Sequence, residues 1–200
     1  MSVAAIRLTT DALRERGVER VVTSALTPAE ESSFKEAGYR ERERLHLLRH
    51  DLEQLPRLEQ TGLRRSRRTD RTGVLDTDAE AFDSFWRLDD VGLTEAIKAT
   101  PTARVRVVGH ATVVGYAVSG RAGTAGYLQR LAVRPAAQGR GMGRALVTDG
   151  LRWMRRRGAT HALVNTQMAN ERALQLYLAV GFRPEPHDLA VLEVDLADKA

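Results

Sequence analysis

The sequence predicts an α/β protein with a mixed sheet, and two observations carry that expectation. Three strand-like runs, Arg104 to Val108, Thr112 to Ser119 and Leu128 to Val133, follow one another closely, the second rich in β-branched residues. A long amphipathic helix over Gly143 to Arg157 comes next, and a strand, a helix and a strand complete the order.

The elements follow from local chemistry. Thr9 to Arg16 has a helical pattern stopped by Gly17, and Val18 to Val22 is strand-like. Thr27-Pro28-Ala29-Glu30 reads as a helix start, with Thr27 as N-cap, Pro28 at the first helical position and Glu30 placed for a capping box. Gly38 ends that helix, and Arg44 to Leu48 is another strand. Leu55-Pro56-Arg57 marks a boundary, followed by a polar stretch from Glu59 to Arg68 in which Gly62 to Arg67 reads as a charged edge strand. Helices are expected over Thr72 to Arg87 and Val91 to Ala99, closed by Pro101. Gly109-His110 points to a hairpin between the next two strands. Beyond the long helix, Ala162 to Val164 and Leu189 to Val194 are strands and Asn170 to Val180 is a helix.

An internal echo bears on domain organisation. Arg14-Glu15-Arg16-Gly17, a strand, a helix with Phe34 four before Gly38, and Gly38-Tyr39-Arg40 mirror Arg155-Arg156-Arg157-Gly158, a strand, a helix with Tyr177 four before Gly181, and Gly181-Phe182-Arg183. Residues 1–57 therefore read as a degenerate half-copy of the domain spanning residues 62–197. The alternative is that helix-glycine-strand units simply look alike.

Composition narrows the partners. The 200 residues hold 31 Lys and Arg against 26 Asp and Glu, a net charge of +5. Only Lys35, Lys98 and Lys199 are lysines, which leaves 28 arginines. Guanidinium binds phosphate bidentately and stays charged, so an anionic ligand is expected. A hydrophobic content of 42% supports a sizeable core and argues against a disordered basic protein. The absence of cysteine excludes disulfides, thiol nucleophiles and Cys-ligated zinc. No run approaches the ~20 apolar residues of a membrane helix, and Met1 to Ile6 gives way at once to Arg7, Thr9, Thr10 and Asp11, unlike a secretory leader. A soluble, cytoplasmic protein with no membrane partner is the expectation.

The informative stretch runs from Leu128 to Leu146. A strand enters a turn, Gly139, Gly141 and Gly143 alternate with other residues, and the long helix begins at once. Such a turn lets a ligand approach the backbone, and its N–H groups together with the helix N-terminus form a phosphate cradle. Arg140 and Arg144, four apart, are placed to bracket a pyrophosphate. Neither a Walker A Lys-Ser/Thr nor a Rossmann acidic residue accompanies the turn, which weighs against nucleoside triphosphates and dinucleotides.

Val133-Arg134-Pro135 followed by Gln138-Gly139-Arg140-Gly141-Met142-Gly143 resembles the Q/R-x-x-G-x-G/A coenzyme A motif of the GCN5-related N-acetyltransferase (GNAT) superfamily. Asn170-Glu171-Arg172-Ala173-Leu174-Gln175-Leu176-Tyr177 through Gly181-Phe182 is similar to its N-x-x-A-x-x-x-Y-x-x-x-G-F motif. The resemblance covers about residues 62–196. It implies a mixed, mostly antiparallel sheet flanked by helices, preceded here by the N-terminal αβαβ half-domain. It also implies an acetyl-CoA-dependent N-acetyltransferase acting by direct attack of an amine on the thioester. The backbone of the strand through Leu131, Ala132 and Val133 would bind the pantetheine arm. Gln138, Gly139, Arg140, Gly141, Met142, Gly143 and Arg144 would hold the pyrophosphate. Asn170 would touch the cofactor's arm, and Tyr177 would lie against it and protonate the leaving thiolate. A phenol whose pKa is near ~10 can donate to a thiolate whose conjugate acid lies near ~8.5. Read on their own, Asn170 is also a good helix N-cap and Tyr177 could be plain core.

The general base is less legible. Family members often carry a carboxylate on the fourth strand, where this chain has Gln129 and Arg130. Asp89, Asp90 and Glu95 fall in the region of the acceptor wall, and Asp89 is the candidate, acting through water. A capping role for it is the alternative.

The remaining features point to no further chemistry. His46 and His50 are four apart in a strand without the following Glu of a zinc hydrolase helix, so no metal is expected. Arg64, Arg65, Arg67, Arg68 and Arg71 form a basic run without interleaved aromatics, better explained by an exposed edge strand than by nucleic acid. Phe82, Phe85 and Trp86 read as core or as lining of the acceptor cleft. The acceptor is expected to be a primary amine, whether a protein N-terminus, a lysine or a small molecule, and a homodimer is left open. The alternative function is a catalytically silent acyl-CoA-binding regulatory module.

Overall fold

The structure, a computed structural model, describes residues 1–58 and 62–197. Part of the polar stretch expected from Glu59 therefore lies outside the described residues. In chain order the elements are α1 (Val3–Glu15), β1 (Arg20–Val22), α2 (Pro28–Glu36), β2 (Arg40–His50), β3 (Leu63–Arg65), α3 (Arg71–Ala81), α4 (Asp90–Lys98), β4 (Thr102–Val108), β5 (Gly115–Ala122), β6 (Ala125–Val133), α5 (Met142–Arg156), β7 (His161–Gln167), α6 (Glu171–Val180), β8 (Arg183–Pro184) and β9 (Leu189–Asp195). Single 3₁₀ turns occupy Arg68–Asp70 and Pro135–Ala137.

The chain forms two compact units that interleave along the sequence. One holds Met1–Leu48, Asn165–Ala173 and the described residues from Pro184 on. The other holds the described part of Arg49–Val164 together with Leu174–Arg183.

The first unit begins with the expected α, β, α, β order. Its β9 runs antiparallel to both β1 and β2. Ile6, Leu26, Tyr39, Ala190 and Leu192 form its core. The Glu30 carboxylate accepts from the Thr27 N–H at 2.9 Å and the Thr27 hydroxyl at 2.7 Å, the capping interaction expected at the start of α2.

In the second unit β3, β4, β5 and β6 pair antiparallel in that order, and β6 pairs parallel with β7. β3 is the short charged edge strand expected from Gly62 to Arg67. β5 starts at Gly115 rather than Thr112 because residues 109–114 form the connection, where Gly109 has φ +111° and a Cβ would stand 2.0 Å from the Thr112 carbonyl oxygen. The helix expected to reach Arg87 stops at Ala81. Phe82 turns extended, with φ −125° and ψ 152°, and Asp83 Oδ1 accepts from the N–H groups of Phe85 and Trp86. That local turn competes with helix, as aspartate side chains do.

One irregularity in the sheet reaches the site. Val118 pairs with Arg130 and Ser119 with Leu128, so Gln129 is an extra residue in β6, a bulge. A Cβ on Gly126 would meet Met154 of α5, whereas Arg130 reaches Asp78 of α3 and Ala132 packs with Val74 and Leu93.

Candidate active site

The β6 strand sets the site. Its register with β7 runs from Ala125↔His161 to Tyr127↔Leu163 and ends there. The Arg134 N–H is donated to Val114 beyond the end of β5, and the Val133 carbonyl accepts from Gln138 Nε2 at 2.9 Å on the other side. Peptide groups alternate along a strand, so those of Leu131 and Val133 turn away from β5, on the side where the pairing with β7 has stopped. Ala132 presents its peptide to β5 and its methyl to the α3–α4 core.

The turn that follows combines two uses of glycine. Gly139 and Gly141 have φ of +76° and +75°, a region that L side chains resist. A Cβ on Gly139 would meet nothing within 4 Å, so conformation alone requires glycine there. Gly143 differs: it already lies inside α5, and a Cβ would stand 3.1 Å from Leu176 Cδ2 of α6. Its missing side chain is used for helix packing rather than for a ligand. Gly141 caps α5, whose first helical residue is Met142, and the first-turn N–H groups have no acceptor within the helix. Arg140 is exposed, whereas Arg144 donates from Nη1 to the Ala179 carbonyl at 3.0 Å near the end of α6.

The second motif is a helix with both ends defined. Asn170 Oδ1 accepts from the Ala173 N–H at 3.1 Å, an N-cap for α6. At the other end, Gly181 has φ +108°, and the Phe182 N–H is donated to the Tyr177 carbonyl at 3.0 Å. The Tyr177 and Phe182 rings lie 5.6 Å apart. Tyr177 is 5% exposed, and among the described residues its hydroxyl has no hydrogen-bond partner. Burial pushes its pKa above the ordinary phenol value, with the Arg130 charge opposing the shift, so the hydroxyl keeps its proton at neutral pH.

The same device occurs at residues 14–39. Gly17 and Gly158 have φ of +78° and +85°, Gly38 and Gly181 +101° and +108°. The Tyr39 N–H is donated to the Phe34 carbonyl at 3.1 Å, matching Phe182 to Tyr177. Phe34 stands at the position equivalent to Tyr177, four residues before the glycine.

The region that sequence analysis expects to form the acceptor wall holds a cluster that sequence reasoning missed. Asp78 is fully buried, and its two oxygens accept from Arg130 Nε at 2.7 Å and Nη2 at 2.8 Å. They also accept from the Tyr116 hydroxyl at 2.6 Å and the Leu88 N–H at 2.7 Å. Arg130 further donates to the Trp86 carbonyl and lies over the Phe82 ring at 3.6 Å. Asp78 follows Val74 by four residues on a helix, which places a carboxylate on the buried face and was the available signal. Asp89 is exposed and caps α4, its Oδ1 accepting from the Gly92 N–H at 2.7 Å. Among the described residues no three His, Asp or Glu side chains gather as a metal group. No described helix is long and apolar enough to cross a membrane.

A parted strand leading into a glycine turn and a helix, beside a second helix with a buried tyrosine, defines a class. The chain belongs to the acetyltransferase (GNAT) family, whose model matches residues 67–182. Among curated proteins it is similar to mycothiol acetyltransferases. The protein of Amycolatopsis mediterranei is 32% identical over 137 residues, covering 60% of this chain and 45% of that protein. That of Acidothermus cellulolyticus is 38% identical over 78 residues, covering 37% of this chain and 24% of that protein. The chain thus matches less than half the length of these relatives. Among solved structures, a tandem GNAT protein from the clavulanic acid biosynthesis pathway aligns over 98% of this chain and 70% of its own, with a TM-score of 0.71 at 12% identity, a likeness of fold.

Proposed function

We propose that the protein transfers the acetyl group of acetyl-CoA to a primary amine, with a small molecule as the leading acceptor class. The observation that carries this reading is the end of β6–β7 pairing at Tyr127↔Leu163, beyond which the peptides of Leu131 and Val133 turn away from β5, with Gln138 Nε2 donating to the Val133 carbonyl. Those peptides would receive the amide-rich pantetheine arm as a strand receives a neighbour. The N–H groups of residues 139–144 would hold the pyrophosphate, with Arg140 free to pair with it and Arg144 oriented by Ala179. Asn170, its Oδ1 engaged in capping, would offer its NH₂ to the arm.

In the reaction the amine attacks the thioester carbonyl, the carbonyl oxygen becomes an oxyanion met by backbone N–H groups, and the C–S bond then breaks. Tyr177 donates its proton to the departing thiolate. Asp89 Oδ2, which has no partner among the described residues, takes the amine's proton through water. Support for a small acceptor comes from the names of the curated relatives. The matched turns at Gly17 and Gly158 and at Gly38 and Gly181 support reading residues 1–57 as a worn half-copy of the domain over residues 62–197.

A silent acyl-CoA-binding module is the second reading, favoured by Arg130, whose place on β6 offers a saturated cation rather than a base. Thiol release from acetyl-CoA, measured across a panel of small amines and peptides, tests the first reading. Amine-dependent release supports it, and binding of acetyl-CoA without release over the whole panel selects the second. Asp89→Asn keeps the cap, because asparagine caps as well as aspartate. Unchanged turnover in that variant removes Asp89 as the base.

A further inference from the structure

The basic run that the acetyl-transfer reading leaves unused comes together with other arginines in one cleft. Of its five arginines, Arg64 is held by both Asp70 oxygens at 2.7 Å, and Arg71 is paired with Asp90. Arg65, Arg67 and Arg68 are exposed and have no ion-pair partner among the described residues. They line a cleft of about 800 Å³ together with Arg104 and Arg106 from β4 and Arg157 just past α5.

With Arg71, seven guanidiniums line the cleft from three parts of the second unit, beside one lining carboxylate, Asp90, which pairs with Arg71. Asp149 pairs with both Arg104 and Arg106, and Asp70 with Arg64. Nε of Arg106 stands 3.3 Å from Asp149 Oδ2, whereas Nε of Arg104 is a buried N–H group without a hydrogen-bond acceptor. Leaving a buried donor unmet is costly, so Arg104 has a donor to spare for a ligand. Burial depresses the Arg104 pKa to about 10, and Arg106, Arg156 and Arg157 add to that while Asp149 opposes it.

We propose that this cleft is a second anion site, separate from the acetyl-CoA site, that binds a compact oligophosphate or multiply phosphorylated small molecule. The lining fixes that chemistry. Arginine forks suit phosphate oxygens, and seven cations against the one carboxylate of Asp90 around a cavity of ligand size call for several negative charges in a small volume. The one aromatic ring of the lining, Trp153, is 7% exposed and covered by the Arg104 guanidinium at 5.2 Å, so no free ring is offered to stack a nucleobase. The cleft also lies away from the glycine turn. Arg157 follows the last residue of α5, and Gly141 precedes its first, about 22 Å off along a helix of 15 residues.

The test is calorimetric titration of the full chain with inorganic tripolyphosphate at physiological ionic strength. Binding at one site is expected, weakened at least tenfold in the triple variant Arg67→Gln/Arg68→Gln/Arg157→Gln, whose acetyl-CoA affinity stays unchanged. These three side chains are exposed and unpaired, so the variant keeps its packing. In the wild-type protein, hydrogen exchange should show tripolyphosphate protecting the amides of residues 65–71 and 102–106. Equal binding by wild type and triple variant overturns the proposal, as does the absence of protection in those segments. Tighter binding of duplex DNA or of an acidic peptide than of tripolyphosphate overturns it as well.

Discussion

Arg130 and Asp78, 52 residues apart in sequence, meet in a two-pronged ion pair at 2.7 and 2.8 Å, with the carboxylate fully buried. The pair ties β6 to α3, and through Leu88 and Trp86 it also fixes the segment leading into α4. The packing of α3 and the α3–α4 connection on β6 is therefore shaped by a charge pair rather than by apolar packing alone. Removing one partner strands the other charge in the interior, at a cost of about 3–5 kcal/mol. Asp78→Ala is expected to destabilise by that amount in chemical denaturation. Asp78→Asn, whose one carbonyl oxygen can still accept from the Leu88 N–H while its NH₂ donates to the Tyr116 hydroxyl, should cost less.

Tyr177→Phe separates chemistry from packing. The hydroxyl has no partner to lose, so the melting temperature should be unchanged, while kcat falls by about 100-fold, the scale of general acid catalysis, with KM for acetyl-CoA held. Steady-state kinetics with the best acceptor of the amine panel checks this, and wild-type turnover in the variant would remove Tyr177 as the acid.

The glycines of the turn should divide into two groups. Gly139→Ala forces an L side chain to φ +76° in open space and should cost about 1–2 kcal/mol. Gly139→Asn should cost less, since asparagine tolerates that region. Gly143→Ala meets Leu176 instead, so its penalty should shrink in the Gly143→Ala/Leu176→Ala background. Thermal unfolding of the five proteins, with Leu176→Ala as reference, gives both comparisons.

His50 makes stability depend on pH. It is 2% exposed, its Nδ1 accepts from the Leu52 N–H at 2.9 Å and its Nε2 donates to the Val180 carbonyl at 3.3 Å, so the neutral ring fits both. Burial lowers its pKa from the ordinary 6.5, with Arg183 adding to the shift while the Val180 hydrogen bond and Asp51 oppose it. Below 6.5 the unfolded chain takes up the proton first. The contribution of His50 is therefore complete above pH 6.5 and lost as the pH falls from there through the depressed folded value. Denaturation midpoints between pH 7.5 and 5 should fall more steeply in the wild type than in His50→Gln.

Local signals in this chain were legible where a single residue dictates a conformation. Pro28 and Glu30 started α2, Gly17, Gly38, Gly158 and Gly181 ended their helices with positive φ, and the motif order gave the family fold. Legibility failed where distant residues decide. Asp78 matters only once β6 brings Arg130 to it, whereas the end of α3 had a local signal, Asp83 two residues past Ala81, that the helical pattern to Arg87 masks. Gly143 was legible as a motif glycine, but its reason, Leu176, lies on another helix. His50 looked like half of a spaced histidine pair, and the fold makes it a buried strut under Phe182.

The extra residue at Gln129 acts on β6 as a frameshift acts on a message. Upstream, Gly126 and Leu128 serve the α5 face; downstream, the even positions Arg130 and Ala132 serve the α3 face instead. Substituting Gln129 leaves that reading frame intact, whereas deleting it would exchange the α5-facing and α3-facing side chains on one half of the strand. The charge pair to Asp78 and the outward peptides of Leu131 and Val133 both lie beyond the shift. The placement of Arg130, Leu131 and Val133 depends less on which residue stands at position 129 than on the fact that one does.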